Sequence, residues 1–279
     1  MRARQSEMTG RHSAKSIRFV LILFSMSLPL FNCNFIINKL AFFPDSEYQF
    51  PAEALSEYLE EVFIDTRDGE KLQAYHINHA ASRKIIIFFH GNAGNLDGRI
   101  GDLLKMHELG YSVLGVSYRG YGKSSGRPSE RGIFRDADAA LAYARNNLEY
   151  AQSDIVIFGR SLGTAAAVDV ARGKDVYALV LVTPLTNGRE YVAYHGMGWL
   201  KLIVRNAFNN SAKAASIQCP TLIIHGTADR TIPYFMGKQL YEVLPVRKKL
   251  VTVQNAGHDE LDRYEIYWKS ISEFLALRP

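Results

Sequence analysis

Three residues in this chain have the types and positions that attack on a carbonyl requires: a serine on a glycine turn, an aspartate and a histidine near the end. Gly159-Arg160-Ser161-Leu162-Gly163 follows directly on the apolar run Ile155-Val156-Ile157-Phe158. A G-x-S-x-G turn presents its hydroxyl only when a strand runs in and a helix runs out. Glycines two residues to either side then leave room for the packed strand and helix. The pentapeptide alone also describes a loop serine between two turn glycines, so its weight comes from the rest of the chain. Pro220-Thr221-Leu222-Ile223-Ile224-His225-Gly226 leads into Thr227-Ala228-Asp229-Arg230, and Lys249-Leu250-Val251-Thr252-Val253 leads through Gln254-Asn255-Ala256-Gly257 to His258. Ser161, Asp229 and His258 therefore each come just after the carboxyl end of an expected strand. In such a set the histidine takes the serine proton while the aspartate holds the imidazole in the needed tautomer. Asp229 has no close rival, because the loop after the expected strand 178–183 offers no acid before Glu190.

A fourth run, Lys84-Ile85-Ile86-Ile87-Phe88-Phe89, ends in the glycine-rich turn His90-Gly91-Asn92-Ala93-Gly94-Asn95. With Tyr118-Arg119-Gly120-Tyr121-Gly122-Lys123-Ser124, the serine turn, Ile224-His225-Gly226-Thr227-Ala228-Asp229 and Ala256-Gly257-His258, these stretches form a set. From about Phe43 to Leu275 the chain resembles the membrane-associated, depalmitoylase-like abhydrolase branch of the α/β-hydrolase superfamily. The resemblance implies an α/β-hydrolase fold and a serine hydrolase, with Ser161 as nucleophile, Asp229 as acid and His258 as base. The backbone N–H groups of Leu162 and Asn92 are the expected oxyanion donors. For Asn92, a turn residue serving local backbone groups is the alternative. Thr164, Thr183-Pro184-Leu185-Thr186-Asn187 and Asp259 depart from the family pattern, so the mechanism carries over better than the substrate.

The elements that must position these residues read as alternating strands and helices. Val62-Phe63-Ile64 and Leu72 to Ile77 flank the turn signal Arg67-Asp68-Gly69 and open the sheet as an antiparallel hairpin. The strand at 84–89, a helix near 96–109, the strand Tyr111 to Tyr118, a helix near 131–148, the strand at 154–158, an alanine-rich helix from Leu162 to Ala171 and the strand Ala178 to Thr183 follow. This alternation implies a mostly parallel sheet flanked by helices. Between Pro184 and Gln218 it stops, and Tyr191, Tyr194, Trp199 and Phe208 accumulate. The segment reads as a short lid whose Tyr194 and Trp199 form the acyl-binding wall, or as a buried crossover. His90 and His225 sit at strand ends and read as turn braces. Tyr118 to Gly126 lacks the spacing of a phosphate loop and reads as structural.

The whole chain, 279 residues with 47% hydrophobic and 22% charged, suits one domain at 59–279 after a lead-in at 33–58. Five basic residues (Arg2, Arg4, Arg11, Lys15, Arg18) stand against Glu7 in residues 1–32. The remaining charges nearly cancel, so no basic face for nucleic acid is implied. That basic stretch and the uncharged run Phe19 to Phe31 have the grammar of a signal peptide or signal anchor. Leu30-Phe31-Asn32-Cys33 resembles a bacterial lipobox, which makes Cys33 a lipidation candidate. Lipoprotein, uncleaved anchor and plain secretion all stay open; each places the protein outside the cytoplasm of a bacterial host, the first two on a membrane. The other cysteine, Cys219, heads an expected core strand. No C-x-x-C pair or H-E-x-x-H pattern points to a metal, and no cofactor is implied. The expected activity is cleavage of carboxylic ester or thioester bonds in small or membrane-borne acyl substrates, through an acyl-enzyme. A serine peptidase with the same triad is the alternative, and a non-catalytic binding protein is a third reading.

Overall fold

The computed structural model describes residues 37–45, 59–204 and 206–277. The expected signal segment 1–32 and Cys33 lie outside the described residues. In chain order the elements are β1 (Phe43–Pro44), β2 (Glu60–Asp65), β3 (Lys71–Ile77), β4 (Ile85–Phe89), β5 (Ala93–Gly94), α1 (Ile100–Glu108), β6 (Ser112–Val116), α2 (Glu130–Asn146), β7 (Ile155–Arg160) and α3 (Gly163–Ala171). Then come β8 (Ala178–Val182), α4 (Gly188–Tyr194), α5 (Asn210–Ala214), β9 (Thr221–Gly226), α6 (Tyr234–Val243), β10 (Lys248–Val253) and α7 (Glu265–Ala276).

Eight strands form one sheet in the order β10-β9-β8-β7-β4-β6-β3-β2. The pairs β2–β3 and β3–β6 are antiparallel and the remaining pairs are parallel. The apolar runs that mark the central strands in the sequence are apolar because both faces of the sheet are covered. Side chains alternate across the faces. Ile85, Ile87 and Phe89 of β4 therefore join one core with α2, α3 and α6, while Ile86 and Phe88 join the other with α1 and α7. All five are buried, each contributing about 1.5–3 kcal/mol by leaving water. The helix α2 starts at Ser129, whose hydroxyl accepts the Gly132 N–H at 3.1 Å. Ala165, Ala166 and Ala167 let α3 lie close against the sheet.

The expected elements are present with trimmed ends: the strand at 111–118 narrows to Ser112–Val116, and the helix near 96–109 begins as a 3₁₀ turn, Asp97–Arg99, before α1. Between β8 and β9 the chain makes α4, a 3₁₀ turn at Gly198–Leu202 and α5. The lead-in is not a loose linker where it is described. Residues 37–41 form a helical turn, Phe42 is buried, and β1 pairs with β5 in the turn after β4. Among the described residues no helix is long and apolar enough to cross a membrane.

Candidate active site

The register Phe89↔Gly159 and Arg160↔Val182 brings the carboxyl ends of β4, β7 and β8 level. Ser161 stands at the end of β7 with φ +53, a left-handed conformation uncommon for a non-glycine residue. Its N–H donates to the Val182 carbonyl at 2.9 Å, and the Thr164 hydroxyl donates to its carbonyl at 2.6 Å. Thr164, which departs from the family pattern, thus pins the turn. The turn can form only with glycine at its two ends. A Cβ on Gly163 would fall on the Phe89 carbonyl, and one on Gly159 would meet the Gly163 carbonyl.

Ser161, His258 and Asp229 come together although the loops that carry them are far apart in sequence. His258 Nδ1 lies 2.7 Å from Asp229 Oδ2, and its Nε2 lies 3.0 Å from Ser161 Oγ. With the carboxylate accepting from Nδ1–H, Nε2 is left to accept the serine proton. Asp229 is buried, and its Oδ1 accepts the N–H groups of Thr231 and Ile232 at 2.9 and 2.8 Å. Burial opposes its charge, but hydrogen bonds from His225 and His258 outweigh it and hold the carboxyl well below the usual carboxylate range. The His258 loop is tied down from two sides. Glu260 Oε1 accepts the Gly257 N–H at 2.8 Å, and Arg160, next to Ser161, donates to the Asp259 carbonyl at 3.1 Å.

The other strand-end histidines brace turns. His225 Nε2 donates to the Ile232 carbonyl at 2.8 Å and lies 3.4 Å from Asp229 Oδ2. Complete burial pushes the His90 imidazole down to about 3, and its Nδ1 donates to the Gly91 carbonyl at 2.7 Å. Arg119, in the loop read as structural, pairs with Asp68 at 2.8 Å and Asp136 at 2.7 Å. Asn92 and Leu162 flank Ser161 in the wall of one cavity. The Asn92 carbonyl accepts the Phe43 N–H at 3.0 Å and the Tyr121 hydroxyl at 2.8 Å, which sets the direction of that turn.

The cavity, about 160 Å³, is lined over Ser161 by Leu185, Tyr191, Val192, Met197, Val204 and Phe208, and by Leu40 from the lead-in. This revises the acyl-wall expectation. Tyr194 and Trp199 are 47% and 76% exposed and line none of it, while Tyr191 and Phe208 do. In the 3₁₀ turn Leu200 points inward and is buried, which turns its neighbour Trp199 outward. Behind this wall, and without any signal of its own in the sequence, Glu130 holds one of its residues: its Oε1 accepts the Phe208 N–H at 2.7 Å, although Glu130 itself does not line the cavity.

Comparison with known proteins places this chain in a family. Residues 80–212 match the family model described as serine aminopeptidase, S33. An uncharacterized protein of Mycobacterium tuberculosis is 32% identical over 226 residues, covering 80% of both chains. The mouse alpha/beta hydrolase domain-containing protein 17C is 31% identical over 197 residues, which is 70% of this chain and 61% of that one. Among solved structures, an esterase of Pyrococcus furiosus aligns with TM-score 0.68 at 23% identity, over 85% of this chain and 97% of that one. An alpha-beta hydrolase of Vibrio vulnificus aligns with TM-score 0.73 at 22% identity, over 89% and 95%. The chain belongs to the α/β-hydrolase superfamily, in its abhydrolase-domain branch, and is a hydrolase.

Proposed function

We propose that the chain cleaves carboxylic ester or thioester bonds through a Ser161–His258–Asp229 triad and an acyl-enzyme. The observation that carries this reading is the unbroken hydrogen-bond chain from Asp229 through His258 to Ser161 Oγ at the base of an apolar cavity. Ser161 Oγ attacks the substrate carbonyl as His258 Nε2 takes its proton. The N–H groups of Leu162 and Asn92 receive the oxyanion, Leu162 also contributing the positive end of the α3 dipole. The imidazolium, stabilised by the Asp229 carboxylate, returns the proton to the leaving alcohol or thiol. Water activated by His258 then attacks the acyl-enzyme and frees the acid.

The cavity supports an acyl substrate by its size and lining. An enclosed cavity of about 150 Å³ lined by apolar side chains holds a benzene-sized group, so this one, which opens to solvent, has room for at least a short acyl chain. The peptidase reading draws on the name of the matching family model. Against it, no Asp or Glu lines the cavity among the described residues to receive a substrate ammonium group. Nitrophenyl esters, acyl thioesters and amino-acyl anilides assayed side by side separate the two. Ester or thioester kcat/KM at least about a hundredfold above that of the anilides is expected; the reverse order overturns the acyl reading.

A further inference from the structure

The feature of the cavity that the proposed chemistry does not use is the way the Phe208 part of its wall is held. Phe208 lines the cavity with φ +49. For a bulky residue this conformation is an outlier that persists only where the surroundings over-determine it. Three contacts do so. The Phe42 ring meets it edge-on with centroids 6.0 Å apart, the Phe208 carbonyl accepts the Asn210 N–H at 2.8 Å, and Glu130 Oε1 accepts the Phe208 N–H at 2.7 Å.

Only the last is a hydrogen bond to a side chain, that of Glu130, the first residue of α2. Glu130 is half-buried at the edge of the core, beside the Lys213–Asp169 pair at 2.8 Å. It does not line the cavity, so whatever it does for substrate it does through Phe208.

We propose that Glu130 is a specificity-positioning residue whose carboxylate clamps Phe208 across the cavity and so limits the length of acyl chain accepted. This rests on the acyl-hydrolase reading above. Without the clamp the backbone at Phe208 relaxes towards negative φ, the ring swings aside and the cavity deepens. Short acyl groups, which do not reach Phe208, are unaffected.

The test is a series of p-nitrophenyl esters from acetate to dodecanoate, assayed with wild type, Glu130→Ala, Glu130→Gln and Glu130→Asp. In Glu130→Ala the octanoate-to-acetate ratio of kcat/KM should rise about tenfold, within the range one pocket contact controls. The change should lie in KM for the long esters, with acetate kcat within about twofold of wild type. Glu130→Gln keeps an acceptor oxygen at the same reach and should restore the wild-type ratio. Glu130→Asp keeps the charge but falls short of the Phe208 N–H, so it should behave as Glu130→Ala and supplies the test if the alanine variant does not fold. Phe208→Gly, which accepts positive φ and removes the ring, should raise the same ratio, and adding Glu130→Ala to it should raise it no further. An unchanged ratio in Glu130→Ala and Glu130→Asp, or an even loss at every chain length with a lowered Tm, overturns the proposal. Ser161→Ala is assayed alongside. Ester hydrolysis persisting in it overturns the acyl-hydrolase reading itself, whereas an inactive Ser161→Ala with unchanged ratios overturns the clamp alone.

Discussion

At the scale of single residues, the site depends on a buried carboxylate kept charged. Asp229 accepts two backbone N–H groups and contacts two imidazoles, so each of its oxygens is satisfied. Asp229→Asn removes the acceptor that selects the His258 tautomer, and kcat should fall by about 10⁴ with KM little changed. The same carboxylate makes stability depend on pH. Its native pKa lies below the ordinary value of about 3.9, so the unfolded chain binds the proton more readily. Its contribution is complete above that value and is lost as pH falls through the native pKa. Denaturant unfolding of wild type and Asp229→Asn should therefore show a stability difference that is constant from pH 6 to about 5 and shrinks below about 4. A difference unchanged down to pH 3 would contradict the assigned hydrogen bonds.

At the scale of elements, the serine turn is a packing problem that only glycine solves. Gly163→Ala sets a methyl group on the Phe89 carbonyl and should destabilise the fold by about 1–3 kcal/mol or more, because backbone must move. Gly101→Ala, in α1 with nothing near its Cβ position, should be neutral or slightly stabilising. Paired thermal melts check both; equal melting points for the two variants would refute the close-approach argument. The elements that carry the site were legible in the sequence for a related reason. Strands covered on both faces leave uninterrupted runs such as Ile85–Phe89 and Ile155–Phe158, and the glycines and polar residues after them mark where each chain end emerges. The segment between β8 and β9 was less legible. Aromatic composition placed apolar side chains in 184–218, but which of them turn inward depends on a short 3₁₀ turn and on irregular backbone with no periodic signature. Tyr194 and Trp199 went outward as a result. Pairings such as Glu130 with the Phe208 N–H or Arg119 with Asp68 and Asp136 connect distant segments and leave no local mark.

At the scale of the whole molecule, the hydrolase domain closes its own site with chain from outside the sheet. Ile37, Leu40 and Ala41 of the lead-in reach the cavity that Ser161 opens into, and β1 steadies the Asn92 turn by pairing with β5. The segment that begins as a lead-in therefore ends as part of the cavity wall. The segment at 184–218, the lead-in and the carboxyl edge of the sheet converge on one hydroxyl, which the proposed reaction uses as its nucleophile. The most direct measurement is covalent labelling by a fluorophosphonate probe, read by intact mass on wild type, Ser161→Ala and His258→Ala. Wild type should gain one probe adduct on Ser161, Ser161→Ala should gain none, and His258→Ala should label slower by several orders of magnitude. Stoichiometric labelling of Ser161→Ala, or wild-type labelling mapped to another residue, would contradict it.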